Sequence, residues 1–333
     1  MEYRYLGRTG IKVSAITLGA QTFGWSVGAE QAFALLDQYL EQGGNYIDAA
    51  DSYNKGESER IVGSWVKARG VRSRLLLGTK VFFPTGEWPN DAGLSRKHIQ
   101  QSVEESLRRL GTDVIDLYQL HCFDRMTPLD ETMRVVDDLV RTGKVRYLGL
   151  SNFAPSQLQK AIMLSRQFAG APVAALQLEY SLLVRSPEWE LLPQCREEGV
   201  GTLAWSPLAG GWLSGKYHRG QPLPPDSRAG KGERWDDAAE QRGGERTWAI
   251  LEVLRRVAEE SQRTPAQVAL AWMLQRNAVT TALVGARTRE QITDNLGAGA
   301  VRLSGPQLGA LDEVSRLELP YPYAFIERYT RKG

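Results

Sequence analysis

The chain has 333 residues, 42% hydrophobic and 24% charged, the composition of an ordinary globular protein. Its formal net charge of +2, with Lys and Arg scattered, offers no basic surface for nucleic acid. Two cysteines, Cys122 and Cys195, make neither a disulfide framework nor a C-x-x-C metal site. No apolar run reaches the roughly 18 residues of a membrane span, and "MEYRYLGRTG" has no secretory h-region, so a reducing cytoplasm is the expected setting.

In chain order, "RYLGRTGIKVS" (4–14) reads as a small hairpin turning at Thr9-Gly10 and placed to cover the N-terminal mouth of a barrel. Eight apolar strands are then predicted, at 15–19, 46–49, 75–80, 114–121, 146–151, 173–178, 201–205 and 279–284. Each is a continuous apolar run, as expected for parallel strands covered on both faces. Helical periodicity separates them. Ser95 precedes a stripe of Ile99, Val103, Leu107 and Leu110, and Gly111 stops it. Thr127-Pro128-Leu129-Asp130 reads as a capping box with Pro at the first helical position, leading into Leu129, Met133, Val136 and Val140. Thr264-Pro265-Ala266-Gln267 repeats the device, and Thr288-Arg289-Glu290-Gln291 does so without the Pro.

Eight strand–helix units predict an α/β (β/α)8 TIM barrel, one domain over 1–333. The competing doubly wound sheet would want a Gly-x-Gly-x-x-Gly turn after the first strand, and Gly19-Ala20-Gln21-Thr22-Phe23-Gly24 is not one. The connection 206–244, rich in Gly, Pro and charge, is too long for a βα loop and reads as a functional lid.

The C-terminal strand ends of a barrel converge on one mouth. There the second predicted strand ends at Asp48 with Tyr53 just beyond, the third at Lys80 and the fourth at His121. Taken singly, these residues read as a cap, a packed ring, a solvated terminus and a structural imidazole. Together, on three adjacent strand ends, they suit proton transfer to a carbonyl oxygen or from an alcohol. Lys80 is expected to lower the Tyr53 phenol, ordinarily near a pKa of about 10, and Asp48 to hold Lys80. No Gly-x-Ser-x-Gly elbow is present, so acyl transfer has no nucleophile.

The later strand ends suit a hydride-carrying partner. Ser151, Asn152 and Gln177 can hydrogen-bond a carboxamide, and Trp205 offers a face for a ring. "SPLAGGWLSGKY" (206–217) lets the backbone approach a ligand, Lys216, Arg228 and Arg287 supply charge for phosphates, and a helix beginning near Thr288 turns its N-terminus to the same mouth. Gln291 and Asn295, four apart on that helix, share a face for an adenine. Three cations favour NADPH over NADH.

"YIDAADSY", "LLLGTK", "DLYQLH", "GLSNF", "LQLEYSLL", "LAWSPLAGGWLSGKY" and "LVGARTREQITDN" resemble, along nearly the whole chain, the aldo-keto reductase superfamily, especially bacterial members related to potassium channel beta subunits. The resemblance implies Asp48, Tyr53, Lys80 and His121 as the catalytic tetrad with Tyr53 as general acid. It also implies that Ser151, Asn152 and Gln177 hold the nicotinamide carboxamide beneath Trp205. Ser206, Pro207, Leu208, Ala209, Gly210, Lys216 and Arg228 would follow the diphosphate, and Gly285, Arg287, Gln291, Asp294 and Asn295 the adenosine end. Gly19, Ala20, Gln21 and Asp48 complete the cofactor set. Ala20-Gln21 stands where relatives commonly have Thr-Trp or Thr-Met, which leaves backbone contacts there. Cys122-Phe123 replaces a frequent Arg-Pro and alters the substrate pocket.

Trp25, Phe82, Trp88 and Phe123 on the strand-end loops, with Tyr53 and His121, are the expected substrate contacts, and Tyr321, Tyr323 and Phe325 lie on the C-terminal tail. They suit an apolar or aromatic carbonyl compound or a sugar-like ring, unless they pack the loops together. The expected activity is NADPH-dependent reduction of an aldehyde or ketone. The alternatives are an NADP-binding redox sensor with slow turnover, or the same site oxidising a sugar or polyol. The expected partner is a small-molecule carbonyl substrate, with no nucleic acid and no membrane. An exposed helix face leaves room for a homo-oligomer.

Overall fold

Residues Tyr3–Tyr5 (β1) and Lys12–Ser14 (β2) pair antiparallel, Tyr3 opposite Ser14 and Tyr5 opposite Lys12, as the expected hairpin. The protein is described by a computed structural model covering residues 1–230 and 241–330, so part of the connection 206–244 lies outside the described residues. The hairpin is tied to the barrel from below. Arg4 donates to the carbonyls of Val279 at 2.8 Å and Leu274 at 2.7 Å, and the Arg8 N–H donates to Gly199 O at 2.8 Å.

The eight remaining strands are β3 (Ile16–Gly19), β4 (Tyr46–Asp48), β5 (Leu76–Val81), β6 (Ile115–Leu120), β7 (Val145–Ser151), β8 (Val173–Glu179), β9 (Gly201–Trp205) and β10 (Thr281–Val284). They close in the order β10–β3–β4–β5–β6–β7–β8–β9, every neighbour parallel, as a (β/α)8 barrel. All eight predicted strands are present, their ends displaced by at most two residues.

Outside lie α1 (Ala29–Glu41), α2 (Glu57–Arg69), α3 (Arg96–Leu110), α4 (Leu129–Arg141), α5 (Pro155–Gln167) and α6 (Leu191–Glu198). After β9 come α7 (Glu245–Ser261) and α8 (Pro265–Leu274), then α9 (Arg289–Gly297), α10 (Gly305–Ser315) and α11 (Tyr323–Tyr329) come after β10. Their starts show how local chemistry sets them. The hydroxyls of Ser95, Thr264 and Thr288 accept from the backbone N–H three residues on, the satisfaction of an orphan donor that an N-cap provides. The Thr127 capping box does not form. Pro128 is itself the cap of α4, and the Thr127 hydroxyl instead donates to Asp124 at 2.7 Å. The predicted α3 stripe is buried throughout, and in α4 only Val140 is half exposed.

Inside the barrel, side-chain alternation sorts residues into layers. The lowest is apolar: Tyr46, Leu117, Ala175 and Leu283, from alternate strands β4, β6, β8 and β10, pack against Leu6 and Val13 of the hairpin. Two residues further along the same strands stand Asp48, Gln119 and Gln177, all buried. The barrel thus changes from an apolar floor to a polar layer within one step of the strand period.

Candidate active site

Asp48 sits at the centre of that polar layer. Its Oδ2 pairs with Lys80 Nζ at 2.5 Å. Its Oδ1 accepts from Gln119 Nε2 at 2.8 Å, Gln177 Nε2 at 3.0 Å and the Tyr46 hydroxyl at 3.2 Å. Gly78 makes room for that phenol, since a Cβ there would stand 2.4 Å from it. Lys80 also donates to Ala49 O at 2.8 Å and to the Tyr53 hydroxyl at 3.2 Å. A buried ion pair persists when its remaining hydrogen-bonding capacity is met, and here it is met by named partners.

Tyr53 is placed by an unusual turn. It opens the 3-10 segment Tyr53–Gly56, in which Asn54 and Lys55 adopt left-handed φ values of 52° and 56°. The Asn54 amide holds the turn by donating to Phe23 O at 2.7 Å and Gln21 O at 3.1 Å, so the loop after β3 fixes the loop after β4. His121 meets the Tyr53 ring edge-on with centroids 5.8 Å apart. All four expected catalytic residues therefore converge at the C-terminal mouth.

Their protonation is governed by burial. The Tyr53 phenol is raised above its ordinary value. Burial raises it, Lys80 opposes this, and Asp48 adds to it. The expected lowering by Lys80 is present but is outweighed, because an ammonium already paired with a carboxylate stabilises a phenolate less than desolvation penalises it. Burial works against the charge of Lys80, but Asp48 and Tyr53 raise it overall. His121 is pushed well below its ordinary 6.5 by burial and by Lys80, and is neutral. The result is a protonated phenol beside a charged amine and a neutral imidazole.

Around this centre, Asn152 takes a left-handed φ of 55° and bridges three strand ends. It donates to His121 O at 2.9 Å, and its Oδ1 accepts from Trp205 Nε1 at 3.1 Å. Its amide thus pins the ring of Trp205, while Ser151 and Gln177 lie buried beside it. Ala20 joins the mouth through its N–H, which donates to Asp48 O at 2.8 Å, and Gln21 through its carbonyl to Asn54. Beyond Trp205 the backbone turns sharply, with left-handed φ at Ser206, Ala209 and Gly210 around the buried Pro207 and half-buried Leu208. Lys216 Nζ lies so close over this segment that a Cβ on Gly211 would stand 2.6 Å away. Its ammonium is lowered by burial, then by the charges of Arg287 and Arg228. Gly285, at the end of β10, opens onto free space, and the N–H of Arg287 is held by Gln291 Oε1 at 2.8 Å. Asn295 is buried, and Asp294 accepts from the Thr264 hydroxyl, which directs its carboxylate toward α8.

The aromatic loops assemble less completely. Phe123 packs on Phe153, and Phe82 on Phe83. Trp25 is partly exposed, and Trp88 is 80% exposed on its loop. Tyr321 and Phe325 are likewise exposed, and Tyr323 stacks on Trp189. Besides Tyr53, the ring that meets His121 edge-on is Phe83, with centroids 4.8 Å apart, a residue that sequence patterning does not single out. Strand alternation points to Phe82, but β5 ends at Val81 and the alternation lapses beyond it, so that Phe83, though 42% exposed, meets the His121 ring. Patterning also passes over Gln119 and Tyr46, because a Gln and a Tyr within apolar runs read as strand filler until their partners are known.

Comparison with known proteins gives the same assignment. The model of the Aldo/keto reductase family matches residues 15–316. Similar proteins include an uncharacterized oxidoreductase, YrpG, of Bacillus subtilis (strain 168), 39% identical over 94% of this chain and 96% of the relative. A probable voltage-gated potassium channel subunit beta of Arabidopsis thaliana is 34% identical over 90% and 91%. A versiconal hemiacetal acetate reductase of Aspergillus parasiticus is 32% identical over 96% and 97%. The barrel, the converged Asp, Tyr, Lys and His, and these matches lead to one conclusion: the chain is an oxidoreductase belonging to the aldo/keto reductase family.

Proposed function

We propose that the protein reduces an aldehyde or ketone to the alcohol with NADPH, Tyr53 acting as general acid. The observation that carries this reading is the Tyr53 hydroxyl 3.2 Å from Lys80 Nζ, held protonated beside the neutral ring of His121. A phenol raised above its ordinary value holds its proton at neutral pH, the form that donates to a carbonyl oxygen.

The residues beyond the tetrad fit a phosphorylated dinucleotide. Lys216, Arg228 and Arg287 act on one another electrostatically, and the left-handed backbone at 206–211 brings peptide groups close to Lys216, which together suit an anion. Trp205, pinned by Asn152, gives a fixed face for a flat ring. When bound, the nicotinamide supplies the hydride. Tyr53 gives its proton to the carbonyl oxygen, and Lys80 stabilises the phenolate that results. Asp48 holds Lys80 in place, and His121 orients the oxygen with an uncharged imidazole. Phe83, edge-on to His121, offers apolar surface beside the imidazole.

Cys122 and Cys195 are both free thiols, which suits the cytoplasm as the proposed setting. Among the described residues no helix is long and apolar enough to cross a membrane. The Arabidopsis relative is named as a channel subunit rather than as an enzyme, and the second reading is a protein that binds NADP as a redox-sensing partner with slow turnover. NADPH and NADH oxidation across aldehydes, ketones and oxidised sugars separates the two. Turnover on at least one carbonyl, faster with NADPH, is expected. Tight NADPH binding with no turnover on any carbonyl would establish the sensor instead.

A further inference from the structure

Gln119 is fully buried on β6, in the polar layer above the apolar floor of the barrel. A carboxamide withdrawn from water is costly unless its groups are partnered. Gln119 is partnered at both ends of its amide. Its Nε2 donates to Asp48 Oδ1 at 2.8 Å, and its Oε1 accepts from Gln177 Nε2 at 3.0 Å. Gln177 Nε2 also donates to Asp48 Oδ1 at 3.0 Å, which commits both of its N–H groups.

We propose that Gln119 is a positioning residue: with Asp48 it fixes which way round the Gln177 amide stands, so that Gln177 offers only its Oε1 to a ligand at the mouth. The reason is the sign of each partner. The Asp48 carboxylate, paired with Lys80, can only accept. Turning the Gln119 amide over would press an oxygen against that carboxylate at 2.8 Å. Turning the Gln177 amide over would press its oxygen against two acceptors at once, Asp48 Oδ1 and Gln119 Oε1. One buried charge thereby sets the polarity of a chain of two amides. The same carboxylate that holds the ammonium beside Tyr53 dictates what the far amide can recognise.

The ligand group must then be a donor. Resting on the nicotinamide reading of the site, this is the NH2 of the ring carboxamide, and a cofactor whose ring carries an acetyl group sets a methyl, which cannot donate, against that oxygen. Gln119 touches neither ring nor substrate and acts only by holding Gln177.

Isothermal titration calorimetry with NADP+ and its 3-acetylpyridine analogue tests this on the intact protein. The wild type is expected to bind the analogue at least ~10-fold more weakly, since the analogue leaves a buried acceptor unpaired. In Gln119→Met, close in volume but with no hydrogen bonds, Gln177 keeps Asp48 but loses one of the two acceptors that hold its nitrogen inward, and its amide turns more readily. The preference for NADP+ over the analogue is then expected to shrink at least ~5-fold, toward indifference. Gln119→Leu gives a second version of the same change, and melting curves report whether each variant folds. A preference unchanged in a folded variant, with both dinucleotides weakened equally, would mean that Gln119 merely fills the barrel, and the proposal falls. Equal binding of both dinucleotides by the wild type overturns it without any variant. Failure of the wild type to bind either dinucleotide overturns the nicotinamide reading itself, and this proposal with it.

Discussion

Lys80 Nζ stands 2.5 Å from Asp48 Oδ2 with neither side chain meaningfully exposed to solvent, and the same nitrogen reaches the Tyr53 hydroxyl. The pair joins the ends of β4 and β5, which lie side by side with Asp48 opposite Gly78. Replacing Lys80 by Met leaves the Asp48 charge buried with only neutral donors. We expect a loss of about 3–5 kcal/mol of stability, the range found when one partner of a buried pair is removed. Loss of the ammonium also removes what lowers the Tyr53 phenol, so residual reduction should extend to higher pH at a much lower rate. Thermal melts and a pH–rate profile report both effects. A variant as stable as the wild type would show that the pair is not a structural element.

The pH dependence of the wild type is set by the same groups. Reduction needs Tyr53 protonated, and its folded value lies above 10, so kcat for reduction should stay level through about pH 6–9 and fall only beyond. His121, held well below 6.5, adds no ionisation in that span. Oxidation of the product alcohol needs the phenolate and should rise with pH over the same interval. A steep fall of reduction between about pH 7 and 8 would contradict the protonation states assigned to Tyr53 and His121.

Asp51 carries a separate stability effect. It is buried behind the Tyr53 loop, where burial first and Glu59 next outweigh the Ser102 hydroxyl and Arg109, and its carboxyl is pushed up to about 7. A carboxyl with a folded value above its unfolded 3.8 binds more protons when folded, so stability falls as pH rises between the two values. Asn in its place carries no such penalty and keeps an oxygen for Ser102. Asp51→Asn should raise Tm at pH 8 and leave it nearly unchanged at pH 4. A lower Tm at pH 8 would show that the ionised form is the one the fold favours.

Preference for the phosphorylated cofactor tests the cation group. Arg287→Ala should weaken NADPH binding at least ~10-fold and NADH binding hardly at all, with the difference shrinking as salt rises. Equal losses for both dinucleotides would remove Arg287 from the 2′-phosphate.

Much of the barrel and its mouth is legible in the sequence, for physical reasons. Parallel strands buried on both faces announce themselves as apolar runs, and an Asp, Lys or His that ends such a run stands out, so the convergence of Asp48, Lys80 and His121 at one mouth can be read directly, with Tyr53 in the loop after the first of them. N-caps such as Ser95 and Thr264 come from a local hydrogen bond. Thr127 is not the cap because α4 begins at Leu129, one residue later than the spacing implies, with Pro128 in the capping position. Gln119 is invisible because its meaning lies in Asp48 and Gln177, 71 and 58 positions away in the chain. Phe83 depends on where one strand stops. The net direction of the Tyr53 shift requires knowing how much burial opposes Lys80, a quantity set only by the packed barrel.

The proton donor is the centre of the account, and Tyr53→Phe tests it most directly. The change removes one hydroxyl and leaves Lys80 its 2.5 Å partner Asp48 and its bond to Ala49 O. With steady-state reduction and calorimetric NADPH binding measured on the same preparation, kcat should fall at least ~100-fold while the dissociation constant moves by less than about threefold. Turnover within about threefold of wild type, with binding intact, would show that the proton comes from elsewhere.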